Sequence, residues 1–147
     1  MSTIKMRAAR SDDLDAIKAL LAENELPASD ITAAALKDFA VAEDANGTLV
    51  GSVGLEKFAT NALLRSLVVP KSARGNGLGR HLVAYAENVA RADGIIELWL
   101  LTTTAAQFFQ RVGYVVADRT TAPAQIQFSA QFATLCPASA ICLKRKV

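Results

Sequence analysis

The strongest constraint on this chain is a change of pattern between residues 63 and 94. Leu63 to Val69 is an apolar run that Pro70 stops, and Arg74-Gly75-Asn76-Gly77-Leu78-Gly79 follows. Leu78, Leu82, Tyr85, Ala86 and Val89 then repeat on one face of a helix running to about Arg91, which Gly94 ends. Strand, glycine turn and helix in that order put a helix N-terminus beside the turn. Glycines without a Cβ let the backbone approach a ligand closely. The helix end adds unsatisfied N–H groups and partial positive charge, which suit a pyrophosphate. Lys71, Arg74 and Arg80 supply cationic side chains nearby. The spacing G-x-G-x-G departs from the dinucleotide fingerprint, and Gly79-Arg80-His81 lacks the Lys-Ser/Thr that ends a P-loop. A turn kept only for its geometry is the other reading of these residues.

The remaining elements point to a mixed α/β order. Residues 3 to 8 read as a strand. Ser11, with Asp12 and Asp13 behind it, reads as a helix cap before Leu14, Ile17, Leu20 and Leu21, and Pro27 closes that segment. Ser29-Asp30 is expected to cap a short helix through Leu36. Phe39 to Glu43 and Thr48 to Phe58 are strand-like, joined by Asn46-Gly47, a hairpin signal. Ile95 to Leu101 is an apolar run suited to a central strand covered on both faces. Ala105 to Val112 fits a helix that Gly113 terminates, and Tyr114 to Ala117 begins another strand. Ile126, Phe128, Phe132 and Leu135 are expected to pack as a short helix or turn, and Ser139 to Lys146 closes the chain as a strand. No repeat or linker interrupts this order, so one domain over residues 1–147 is expected, with a single sheet and helices on its faces.

Bulk properties narrow the partners. A chain of 147 residues with 52% hydrophobic and 20% charged residues buries a core of its own. The net charge of +2 is spread along the sequence without a Lys/Arg run, which argues against nucleic acid as the main partner. No stretch is apolar enough to span a bilayer, and Met1 to Arg7 shows neither an h-region nor a cleavage site. Two cysteines, Cys136 and Cys142, do not make a disulfide framework or a metal spacing. A cytoplasmic protein without a metal is expected.

Two segments together resemble a known family. Leu67 to Gly79 resembles the acyl-CoA-binding motif of GCN5-related N-acetyltransferases, Arg/Gln-x-x-Gly-x-Gly/Ala after a strand. Ala105-Ala106-Gln107-Phe108-Phe109-Gln110-Arg111-Val112-Gly113-Tyr114 is similar to the family's Ala-x-x-Phe-Tyr-x-x-x-Gly-Phe/Tyr segment, with the apolar strand between them. The resemblance implies an α/β (α+β) fold. It consists of a mixed central sheet of about six to seven strands, a V-shaped split between the strands at 63–69 and 96–101, and helices on both faces. It also implies acetyl-CoA as cosubstrate. The expected contacts are Leu67, Val68 and Val69 along the strand and Arg74, Gly75, Asn76, Gly77, Leu78, Gly79 and Arg80 at the phosphates. Thr102, Ala105 and Phe108 are expected on the second strand and its helix. An amine would attack the thioester directly, with the protein positioning and polarising it. The family often has Asn where Thr102 stands, and Tyr in place of Phe109. That Tyr commonly protonates the departing thiolate, which Phe cannot do.

Further segments, among them Leu26-Pro27-Ala28-Ser29-Asp30, Val53-Gly54-Leu55-Glu56, Leu63-Leu64-Arg65-Ser66-Leu67 and Leu135-Cys136-Pro137, are similar to the small acetyltransferases of arsenic-resistance operons. That resemblance implies a small amine acceptor such as an arsenical amino acid. Arg65 is the acceptor-side candidate, because a guanidinium fork matches a carboxylate; a salt bridge with a nearby acid is the even alternative. Glu56 is the candidate general base, set against a solvated strand-end charge. Arg-Ser-Leu also resembles glutamate-type amino-acid acetyltransferases, a second reading of the acceptor. A third reading is a CoA- or arsenical-binding module with little catalysis. His81 reads as solvent-facing and the cysteines as core. A homodimer through the C-terminal strand follows from family analogy alone.

Overall fold

The computed structural model describes residues 3–75 and 77–147. Among them lie seven strands in one mixed sheet, ordered β1-β2-β3-β4-β5-β7-β6. The strands are β1 Lys5–Ala8, β2 Phe39–Glu43, β3 Leu49–Phe58, β4 Asn61–Val68, β5 Glu97–Thr102, β6 Val115–Val116 and β7 Ile141–Lys146. The helices are α1 Leu14–Glu23, α2 Leu78–Ala92, α3 Ala106–Arg111 and α4 Ala124–Gln127, with a π-helical turn at Gln131–Leu135. The expected α+β architecture is therefore present. By its internal contacts the chain forms two compact units, Met1–Leu55 with Ser66–Asn88, and Glu56–Arg65 with Val89–Val147.

In the first unit, β1, β2 and β3 are antiparallel neighbours, with Met6 opposite Ala42 and Phe39 opposite Gly54. Its core joins Ile17, Leu20 and Leu21 of α1 to Ile31, Leu36, Phe39, Val41 and Val68. The hairpin at Asn46-Gly47 is organised by Asp44, whose Oδ1 accepts from the amides of Asn46 at 2.9 Å and Thr48 at 3.0 Å. Several local expectations change here. The start of α1 rests on Asp13 and not on the Ser11 hydroxyl. Asp13 accepts from the Arg10 amide at 2.7 Å and from both terminal nitrogens of Arg7 at 2.8 and 3.0 Å. A carboxylate meets these donors more strongly than a hydroxyl does. The helix ends at Asn24–Glu25, ahead of Pro27: Glu25 takes a φ of 60°, and the Leu26 amide bonds back to the Leu21 carbonyl at 2.9 Å. The turn after Ser29-Asp30 is 3₁₀ and spans Ala34–Asp38, with the Thr32 hydroxyl accepting from the Ala35 amide at 3.3 Å.

In the second unit, β4 runs parallel to β5 through Asn61↔Glu97, Ala62↔Leu98 and Leu63↔Trp99. A parallel pair needs a crossover, and α2 supplies it. Past Leu63 the register ends, whereas β5 continues against β7 as far as Thr102↔Ile141. The chain order misses one feature: β7 lies between β5 and β6, which leaves the two-residue β6 at the sheet edge. The core here is Leu63, Trp99, Ala122, Ile126, Phe132 and Cys142. Phe128, expected among them, is 84% exposed, because α4 ends at Gln127 and turns its apolar face inward through Ile126 alone.

Candidate functional site

The glycine loop lies in the first unit. Pro70 ends β4, residues 71–73 make one 3₁₀ turn, and Arg74 folds back so that its Nε donates to the Val69 carbonyl at 2.7 Å. Gly75 and Gly77 have φ values of 96° and 79°, and a Cβ at either would meet nothing within 4 Å. These glycines are therefore required by backbone conformation, since left-handed φ strains any L side chain. The Gly77 carbonyl accepts from the His81 amide at 3.1 Å, so Gly77 occupies the N-cap of α2. The first turn that follows lies at the positive end of a 15-residue helix. Lys71, Arg74, Arg80 and His81 are exposed around this end, while Leu78 is 4% exposed and anchors the helix. Open, glycine-lined and cationic, the loop is shaped to take an anion against the backbone. Asn76, expected to contribute, lies outside the described residues.

Immediately before the loop, β4 is not a regular strand. Ser66 has a φ of 58°, a left-handed conformation in a non-glycine residue in the strand interior. One such residue breaks the extended course of the strand and redirects the backbone after it. Leu67, Val68 and Val69 are that backbone. The Ser66 carbonyl accepts a 2.8 Å hydrogen bond from the Ser52 hydroxyl of β3, which is fully buried. Neither the left-handed Ser66 nor its bond from Ser52 is legible in Arg-Ser-Leu; a serine within an apolar strand is the only sequence signal.

The second unit carries the other candidates. Arg65 Nη1 donates to Glu56 Oε1 at 2.6 Å, the arginine side chain 2% and the glutamate 26% exposed. Of the two readings of Arg65, the nearby acid is thus the partner this structure contains, and the two candidates converge on one ion pair. Glu56 is the more open member. Thr102 Oγ1 accepts from the Ala105 amide at 2.9 Å and from the Thr104 amide at 3.3 Å, closing the turn from β5 into α3. Phe108 is half-buried and packs edge-on against Phe109, ring centroids 5.1 Å apart. Phe109 is 4% exposed and also meets Tyr114 edge-on at 5.4 Å. Its ring is a packing element, which accounts for an apolar residue there. Burial pushes the Cys142 thiol up to about 11, so at neutral pH it stays protonated. Among the described residues no cluster of His, Cys, Asp or Glu is arranged to hold a metal ion, and no helix is long and apolar enough to cross a membrane.

These features agree with what the chain resembles. Residues 35–116 match the family model described as an acetyltransferase (GNAT) domain. An uncharacterized N-acetyltransferase of Chlorobaculum tepidum is 35% identical over 92 residues, which is 62% of this chain and 58% of that protein. N-acetylglutamate synthase from Neisseria gonorrhoeae, solved with coenzyme A and N-acetyl-glutamate, superimposes with a TM-score of 0.84 at 24% identity, over 98% of this chain and 35% of that one. A Mycobacterium tuberculosis protein solved in complex with CoA gives a TM-score of 0.81 at 23% identity, over 97% of this chain and 99% of that one. The chain thus spans a little over half of its curated relative and about a third of the gonococcal synthase. At these identities the solved structures establish the fold, and the family match covers more than half of the residues. The chain belongs to the GNAT acetyltransferase family.

Proposed function

We propose that this chain is an acetyl-CoA-dependent N-acetyltransferase, acting as one domain on the amine of a small, carboxylate-bearing molecule. The observation that carries the reading is the open glycine loop, with left-handed Gly75 and Gly77, running directly into the N-terminus of α2. Acetyl-CoA supplies an activated thioester. Arg74, Arg80 and the amides of Gly75, Gly77 and Gly79 hold its pyrophosphate, and the backbone of Leu67, Val68 and Val69 pairs with the pantetheine arm and thioester. Thr102, Ala105 and Phe108 line the cofactor from the β5–α3 turn. Glu56 accepts the proton of the attacking amine, directly or through one water, with Arg65 holding its carboxylate in place. The amine nitrogen bonds to the thioester carbon, the C–S bond breaks, and CoA leaves as thiolate. Phe109 has no proton to give, so water reprotonates the sulfur.

The amino-acid acceptor is proposed from the resemblance of Arg65-Ser66-Leu67 to amino-acid acetyltransferases, with the Arg65 guanidinium held by Glu56 in the structure. The likeness to a synthase solved with N-acetyl-glutamate favours the same class. The similarity to arsenic-operon acetyltransferases adds arsenical amino acids as acceptors. A panel of arsenical amino acids, glutamate and phosphinothricin, followed by CoA thiol release, decides among them; silence across the panel removes the amino-acid acceptor. Glu56→Gln is expected to lower kcat roughly 10²- to 10⁴-fold while calorimetric CoA affinity stays near wild type. A Glu56→Gln enzyme at full kcat removes the base.

A further inference from the structure

We infer that Ser52 is a positioning residue for the proposed acetyl transfer, fixing through its hydroxyl the direction of the backbone amide that follows the left-handed Ser66 in β4. The inference rests on the acetyltransferase reading and adds to it a residue outside every cofactor motif. Ser52 is fully buried in β3, opposite Val41, and its Oγ donates to the Ser66 carbonyl at 2.8 Å. A hydroxyl with no access to water belongs in a core only when bonded, and this one has the Ser66 carbonyl as its acceptor. Ser66 holds a φ of 58°, a conformation that persists only where its surroundings over-determine it.

The peptide unit joining Ser66 to Leu67 is planar and trans, so its carbonyl and its N–H point in opposite directions. Holding the Ser66 oxygen on Ser52 therefore also aims the Leu67 N–H, the first backbone donor after the kink. At Gly51 a Cβ would lie 3.2 Å from the Val68 carbonyl, so the β3 backbone passes close to the far end of this segment. A donor aimed in advance at the oxygen of a forming tetrahedral centre lowers the barrier, and one a few tenths of an ångström astray does not.

The test uses acetyl-CoA carrying ¹³C at the acetyl carbonyl, observed by NMR in complex with the full chain, so that no acceptor is needed. Bound to wild type, the carbonyl resonance is expected to move away from its free value. Ser52→Ala is expected to bind acetyl-CoA within about threefold of wild type by calorimetry, because the pyrophosphate loop is intact, and to lose more than half of that shift. Ser52→Thr keeps the hydroxyl and is expected to keep the shift. Should the alanine variant not fold, Ser52→Cys, nearly isosteric and a weak donor, takes its place with the same expected loss. A hydroxyl that only stabilises the fold would lower the melting temperature and leave the bound resonance unmoved. A folded Ser52→Ala or Ser52→Cys complex with the full wild-type shift overturns the inference and leaves the acetyltransferase reading intact. A wild-type chain that binds no acetyl-CoA overturns both.

Discussion

At the scale of single residues, ionised groups buried in the chain act first as structure. Arg7 is flanked by Asp13 at 2.8 Å and Glu43 at 3.3 Å, tying β1, the start of α1 and the end of β2 into one charge cluster. The Arg7 guanidinium is the main cause of the fall in the Asp13 carboxyl to about 2, with the Arg10 amide adding to it. A carboxyl held below its unfolded value of roughly 3.9 stabilises the fold above that value and loses the effect as pH falls through the folded one. Asp13 is 7% exposed, so solvent screens this little, and about 2 kcal/mol is expected to disappear between roughly pH 4 and pH 2. Asp13→Asn is expected to cost about the same at pH 7 and to flatten that acid limb. Urea midpoints measured against pH for both proteins check this; parallel curves would show that Asp13 is not the titrating group.

Elements were legible in this chain where composition and period agree. The strand, glycine turn and helix of residues 63 to 92 could be read, because β4 is apolar on both faces and α2 has a clear stripe. The Asn46-Gly47 hairpin could be read for its turn chemistry. What escaped was set by partners distant in sequence: the left-handed turn of the strand at Ser66, the Asp13 cluster and the insertion of β7 between β5 and β6. Of the candidate site, the cofactor loop was visible as a motif, whereas the pairing of Arg65 with Glu56 needed the β3–β4 hairpin to bring them together. Gly54 shows the same limit. A Cβ there would lie 2.4 to 2.7 Å from the ring of Phe39, its cross-strand neighbour. The missing side chain is thus the space the ring fills. Gly54→Ala is expected to destabilise the chain by about 1–3 kcal/mol, since overpacking forces the ring or the strand to shift. Adding Phe39→Leu should recover part of that loss, and additive chemical-denaturation energies for the pair would refute the clash.

For the whole molecule, cofactor and stability are linked. A ligand that binds only the folded chain stabilises it by RT ln(1 + [L]/Kd), about 2.7 kcal/mol at a hundredfold excess over Kd. For a chain of 147 residues that corresponds to a rise in melting temperature of roughly 5–10 °C. Acetyl-CoA and CoA are both expected to give this rise, since loop and strand contacts are common to the two, and adenosine without phosphates to give almost none. Polyanions such as heparin are expected to do little, because a net charge of +2 spread along the chain offers no continuous basic face. Gly77→Val is the discriminating variant. Its φ of 79° strains a β-branched residue, but a Cβ there meets nothing within 4 Å, so the damage stays in the loop. The variant is expected to melt within a few degrees of wild type when free and to gain nothing from acetyl-CoA. A Gly77→Val chain that still gains the full stabilisation would move the phosphate site away from the helix end.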